Sequence, residues 1–227
     1  MKGLVVSAKG AEERDLIEYD GVLVRRDWGP DIGVLKEWAP VYRCLESRIP
    51  GHRVMDIGGN IGMFSTKALK LGAEHVVAFE PEPGAFSVLS ANLMGKNAIA
   101  YNVAVGATNG TVRLSVSPSG NATSATTMVH VNRRQSIEVP KVSFLEMVEQ
   151  YRPTFLKVDC EGAELEFLDG YRMPACVKVV TAELHREFAG WESLCQRVIG
   201  SFSEWTAIKK PLSYSFHRCW LINYERP

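Results

Sequence analysis

The chain has 227 residues, with 26 basic and 26 acidic side chains, a formal net charge of zero and 46% hydrophobic content. That length suffices for one α/β domain with a sizeable core, and the neutral balance argues against a dedicated nucleic-acid binder, whose affinity leans on phosphate neutralisation. No apolar run approaches the roughly 20 residues that span a bilayer, the opening MKGLVVSAKGAEERD is too weakly apolar for a signal peptide, and Cys44, Cys160, Cys176, Cys195 and Cys219 are scattered without a CxxC pair, so a cytoplasmic protein with reduced thiols and no membrane span is expected.

In chain order, Leu16-Ile17-Glu18-Tyr19 and Val22-Leu23-Val24-Arg25 flank Asp20-Gly21, a strong two-residue turn signal, and predict a hairpin. Residues 31–48 predict a helix, since Ile32, Leu35, Trp38, Ala39, Tyr42 and Leu45 recur at helical spacing, with a kink at Pro40. Residues 1–50 are too few for a large core of their own and read as a hairpin-and-helix cap on a main domain over 51–227. From residue 53 strands and helices alternate: strand 53–57, helix 62–71, strand 75–80, helix 83–95, strand 98–103 and a further strand over 111–116. Such alternation predicts a doubly wound α/β fold with a parallel sheet. Residues 117–136, small and polar, read as a long loop of the kind that lids or substrate elements use, with Arg133-Arg134 able to meet an anion. The alternation resumes with helix 143–151, strand 155–158, helix 162–169, strand 177–184 and helix 188–199. Two final strands, 205–209 and 214–224, have no helix between them and should pair antiparallel. A parallel sheet closed by such a pair is the pattern of class I methyltransferases, not of ordinary nicotinamide dehydrogenases.

The segment Asp56-Ile57-Gly58-Gly59-Asn60-Ile61-Gly62 ends the first of these strands in an acid and a glycine-rich turn. In a doubly wound sheet a ligand sits beyond the carboxyl ends of the strands, where Gly58, Gly59 and Gly62 let backbone approach it and Asn60 tolerates unusual backbone angles. Glu80, ending the next strand 24 positions beyond Asp56 and followed by Pro81, is placed to accept both ribose hydroxyls. The turn reads G-G-x-x-G and lacks the GxGxxG step of a pyrophosphate site, and Asp56 fits the aminoacyl side of S-adenosylmethionine better than it fits a phosphate. Asn102, Val103 and Ala104, after the third strand, offer a bed for an adenine.

With these segments in view the chain resembles the FkbM family of S-adenosylmethionine-dependent methyltransferases. The matching pieces are Asp56 to Gly62, Ala78-Phe79-Glu80-Pro81, Asn102-Val103-Ala104-Val105-Gly106 and, most specifically, Leu156-Lys157-Val158-Asp159-Cys160-Glu161-Gly162-Ala163-Glu164. The resemblance covers about residues 53–185. It implies a class I methyltransferase (Rossmann-like) fold with a mostly parallel seven-stranded sheet and an antiparallel C-terminal hairpin. It also implies O-methylation of a hydroxyl on a sugar, glycolipid or secondary metabolite, with a small-molecule or glycan acceptor.

In that fold Lys157, Asp159, Glu161 and Glu164 border the methyl-transfer pocket. Asp159 is the first choice for base or acceptor-orienting residue, with Lys157 on the same strand face tuning its charge. Glu161 either shares that work or caps the following helix. His185 competes with Asp159 as base, and with Asp159 and Glu183 it makes an oxygen-and-imidazole set able to hold a divalent metal, although none is predicted. Two readings compete with methyl transfer: a nucleoside-cofactor-binding module without catalysis, and a nicotinamide-dependent oxidoreductase.

Overall fold

A computed structural model of the protein describes residues 16–26, 29–116, 135–169, 172–185, 191–214 and 219–227. Asp20 and Gly21 take positive φ, 51° and 71°, as a tight hairpin turn requires. They join β1 (Leu16–Tyr19) to β2 (Val22–Arg25), with Tyr19 opposite Val22. Arg25 donates from its backbone and guanidinium to Asp31 at 2.6–3.0 Å, fastening the hairpin to α1 (Gly29–Glu37). The single kinked helix predicted over 31–48 is instead one helical run that changes gauge: residues 38–42 widen into a π turn and residues 43–48 tighten into a 3-10 helix. Pro40 has no N–H for the ladder and its ring crowds the preceding turn, which the wider π turn accommodates.

Then follow β3 (Arg53–Ile57), α2 (Met63–Lys70), β4 (His75–Phe79), α3 (Pro83–Leu93), β5 (Ala98–Tyr101), β6 (Ala104–Gly106), β7 (Gly110–Val116), β8 (Gln135–Ser143), α4 (Phe144–Tyr151), β9 (Phe155–Val158), α5 (Glu164–Leu168), β10 (Val179–His185), α6 (Trp191–Gly200), β11 (Thr206–Tyr214) and β12 (Cys219–Glu225). Seven strands form one sheet in the order β11-β12-β10-β9-β3-β4-β5. β12 alone runs against its neighbours, paired antiparallel to both β10 and β11. This is the doubly wound α/β sheet with an antiparallel C-terminal pair expected from the element pattern. The strand order reverses around β3, with β4 on one side and β9 on the other, so a ligand crevice belongs at their carboxyl ends.

Strand alternation sorts the core into two layers. Val54, Val76, Phe155, Val179 and Leu221 face α2, α3 and the N-terminal cap, whose Val22, Val24, Trp38, Tyr42 and Leu45 share that cluster. Met55, Val77, Leu156, Val180 and Ile222 face the opposite layer with α4, α5 and α6. On the cap side a row of polar residues interrupts the apolar surface. Asp56, Lys157, Thr181 and Asn223 stand side by side in register, each at most 4% exposed. Asn92 on α3 binds the cap to the domain: its carboxamide accepts from Leu23 N at 2.6 Å and donates to the carbonyls of Leu23 at 2.9 Å and Ile61 at 2.7 Å.

A second, three-stranded sheet, β6-β8-β7, stands apart from the first and corrects two expectations. The strand predicted over 111–116 does not extend the parallel sheet; it pairs antiparallel with β8, because no helix separates it from β6 and a parallel crossover needs one. Of the loop predicted over 117–136, residues 117–134, including Arg133-Arg134, lie outside the described residues, while Gln135 and Ser136 open β8. Leu114 and Val139 pack with Ala104 to fill the small sheet's own core. Among the described residues no helix is long and apolar enough to cross a membrane.

Candidate active site

A cleft, partly open to solvent, lies at the carboxyl ends of β3, β4 and β9. Ile57, Gly58 and Asn60 form one wall and Phe79, Glu80 and Pro81 the next. Val103, Ala104, Val105 and Leu114 form an apolar wall from the second sheet, and Asp159, Cys160, Glu161 and Ala163 close the far side. Leu114 was not foreseeable, because its contribution depends on β7 folding back as part of a separate sheet.

Glu80 is 6% exposed. Its Oε2 accepts from Asn60 N and its Oε1 from Glu82 N, both at 2.8 Å. These bonds fix the carboxylate and leave each oxygen a further lone pair. Burial pushes its pKa up to about 7, against the opposing pull of those two amides. The first donor comes from the glycine turn, where Asn60 adopts a left-handed φ of 49° and its own Oδ1 accepts from Ile61 N; the second comes from the N-cap of α3.

The three glycines serve less for ligand approach than for packing within the chain. A Cβ on Gly58 would stand 1.7 Å from the Asp159 carbonyl oxygen, and one on Gly62, at φ 86°, 2.8 Å from Leu89 Cδ1. A Cβ on Gly59 would press on the same leucine at 3.2 Å. Gly58 also lines the cleft; Gly59 and Gly62 hold the turn against α3.

Asp56 differs from its expected role. With 0% exposure it lies beneath the cleft, where its Oδ2 accepts from Ser65 Oγ on α2 at 2.6 Å and its Oδ1 stands 3.1 Å from Lys157 Nζ in a buried ion pair. It anchors β3 to α2 and to Lys157. Asn102 is also structural: its amide donates to the carbonyls of Glu80 at 2.8 Å and Pro81 at 3.0 Å, tying the ends of β4 and β5, while Val103 and Ala104 face the cleft.

Lys157, 4% exposed, donates to the Gly58 carbonyl at 2.6 Å and lies nearer Asp56 than Asp159, whose Oδ2 is 3.6 Å away. Burial disfavours its charge, but Asp56 and Asp159 outweigh that and hold its pKa above the ordinary lysine value. It remains a cation, so it positions groups and takes no proton.

His185, 6% exposed, has Nδ1 3.0 Å from Glu164 Oε1, which also accepts from the His185 backbone at 2.5 Å. Burial alone would favour the neutral ring. Glu164, Glu161 and Asp159 reverse that and raise its pKa well above the ordinary value, while the ion pair keeps buried Glu164 below the usual carboxylate range despite desolvation. The three carboxylates thus favour a positive charge at the ring's position.

Glu161, at a left-handed φ of 55°, does not cap the following helix. With Gly162 also at positive φ, α5 begins later than predicted, at Glu164, and Glu164 rather than Glu161 accepts from Gly162 N, at 2.9 Å. Glu161 Oε2 turns toward His185 Nε2 at 3.7 Å. Burial and the neighbouring Asp159, Glu164 and Glu183 push its pKa up to about 8, with His185 pulling the other way. From the cap, Tyr42 brings its hydroxyl 3.4 Å from both Asp159 Oδ2 and Glu183 Oε1. Sequence reasoning missed it, since its helical spacing marks it as core and only the docking of the cap takes it to the site.

A model of the methyltransferase FkbM domain matches residues 56–209. The hexuronic acid methyltransferase AglP of Haloferax volcanii is 33% identical over 138 residues, covering 57% of this chain and 54% of that protein, so the chain spans about half the length of this relative. Among solved structures, the chain is similar to magnesium protoporphyrin IX methyltransferase from Synechocystis PCC 6803 with bound SAM (TM-score 0.44, 10% identity, 87% of this chain and 80% of that one). It is also similar to TrmK of M. capricolum in complex with S-adenosyl-homocysteine (TM-score 0.47, 9% identity, 82% and 68%). At such scores these likenesses say nothing of substrate or mechanism.

Proposed function

The chain belongs to the FkbM methyltransferase domain family, and from that premise we propose that it transfers a methyl group from S-adenosylmethionine to a hydroxyl oxygen of a sugar-class acceptor. When bound, S-adenosylmethionine supplies a methyl group on a sulfonium, already a strong electrophile. The chain's own tasks are to hold donor and acceptor in line and to receive the acceptor's proton.

The observation that carries this reading is Glu80. It is a buried carboxylate at the carboxyl end of β4, oriented by two backbone amides and short of further donors, which the two hydroxyls of a ribose would supply. The apolar wall of Val103, Ala104 and Leu114 suits a purine face. Across the cleft Asp159, with its side chain 23% exposed, is the acid placed to accept a proton from an incoming hydroxyl. Lys157 and the His185–Glu164 pair hold it in place. The likeness to a hexuronic acid methyltransferase supports a carbohydrate acceptor.

Thermal-shift titration with S-adenosylhomocysteine and with NAD, followed by a methyl-transfer assay against a panel of glycans and uronic acids, tests the reading. Stabilisation by S-adenosylhomocysteine and a methyl ether product are expected. Stabilisation by NAD alone would sink it.

A further inference from the structure

We propose that Asp159, Glu183 and His185 form a binding site for a divalent cation at the carboxyl ends of β9 and β10, beside the acceptor side of the cleft. One ligand atom from each residue lies within 4.8 Å of the other two, and Asp159 Oδ1 stands 3.9 Å from His185 Nε2. Ligands about 2.1 Å from a shared ion are separated by about 3.0 Å when adjacent and about 4.2 Å when opposite. The set therefore closes on an ion with side-chain adjustment alone. Two carboxylates and one imidazole suit Mg²⁺, Mn²⁺ or Zn²⁺ and leave coordination positions open.

A second observation, independent of the acidic grouping, is how His185 is held. Its ring is buried, and Glu164 engages Nδ1 at 3.0 Å, so Nε2 is the atom presented to the cluster. Nε2 faces Asp159 Oδ1 at 3.9 Å, a separation that a shared ion would span, with Glu161 Oε2, outside the set, at 3.7 Å. A carboxylate on the far nitrogen is the usual way a ligating histidine is oriented. The other two ligands also have an outer partner in Tyr42, whose hydroxyl is 3.4 Å from Asp159 Oδ2 and from Glu183 Oε1. One pleat lower on the same face of β10, Thr181 is 1% exposed with its Oγ1 unpartnered among the described residues, so the floor of the site is polar. Such an ion would acidify a coordinated acceptor hydroxyl. That use rests on the methyl-transfer reading; the binding itself does not.

The test titrates Mn²⁺ into the chelator-treated 227-residue chain, counts free ion by electron paramagnetic resonance, and measures S-adenosylhomocysteine binding on the same samples. Wild type should bind one ion per chain. D159N and E183Q should each weaken Mn²⁺ at least tenfold, and E164Q, which touches no ion, about tenfold through the released imidazole. E183Q should bind S-adenosylhomocysteine as wild type does, which shows that it is folded. Failure of wild type to bind millimolar Mn²⁺, or affinities in D159N and E183Q equal to wild type, overturns the cation site. Loss of S-adenosylhomocysteine binding throughout strikes the methyl-transfer reading instead.

Discussion

Glu80 offers a measurement whose size follows from its surroundings. Its ordinary pKa is 4.5 and burial raises it to about 7. Below pH 4.5 the folded and unfolded chains both carry the proton. Between 4.5 and about 7 the unfolded chain has lost a proton that the folded protein keeps, so stability falls as pH rises, and above about 7 the loss is complete. At about 1.4 kcal/mol per pH unit the total is on the order of 3 kcal/mol. Glu80→Gln cannot ionise. It carries a constant cost, because one of the two amides at 2.8 Å loses its acceptor, but that cost does not vary with pH. Urea denaturation of both proteins from pH 4.5 to 8 should therefore show the variant gaining on wild type by about 3 kcal/mol across the window. Wild-type affinity for S-adenosylhomocysteine should rise about tenfold per unit up to pH 7 and then level, since ribose donors favour the ionised carboxylate. Stability curves that stay parallel within about 1 kcal/mol would falsify this account of Glu80.

The other expectations concern single side chains. Asp159→Asn should leave S-adenosylhomocysteine affinity within about threefold while lowering kcat by 10² or more, as for loss of a general base; calorimetry and single-turnover kinetics separate the two, and full activity would remove Asp159 from the chemistry. Asn92→Ala should cost about 3 kcal/mol in urea melts, because Leu23 and Ile61 lose their partners together; a cost under about 1 kcal/mol would mean that the cap docks without it. Alanine at three glycines should rank by what each Cβ meets. Gly58→Ala, 1.7 Å from a backbone oxygen, should not fold. Gly62→Ala, 2.8 Å from a movable leucine methyl, should fold but weakly. Gly51→Ala, with nothing within 4 Å, should lose only the about 1 kcal/mol owed to its positive φ.

The glycine-turn side of the cleft was legible in the sequence because its signals are local. A hydrophobic run ending in an acid and a glycine turn fixes a strand, a loop and a helix within a dozen residues, and the alternation that follows fixes the sheet. What escaped was set by contacts between distant segments. Asp56 reads as a ligand-facing acid until its register beside Lys157 shows it buried under the sheet's rim. Val139 and Ile137 alternate as a strand should, but Pro140 and the polar stretch before them hid β8 and with it the second sheet. His185 looked like a base by its ordinary pKa, and only the approach of Glu164, 21 residues earlier in the chain, shows how the ring is oriented and why its pKa is raised. Tyr42 has the spacing of a core residue and is one; its hydroxyl merely emerges where the cap meets β9 and β10.

Lys157 reaches both halves of the cleft at once: the carbonyl of Gly58 in the glycine turn, Asp56 beneath it and Asp159 on the far side. One ammonium group thus acts as a gauge block between the place where a methyl group would be offered and the place where it would be taken. Neither side can shift without pulling the other. The gauge does not reach the cap that carries Tyr42 or the small sheet that carries Leu114. Exchanging those two elements between relatives, with β3 and β9 left untouched, is the route by which acceptor choice would move while the transfer distance stays constant.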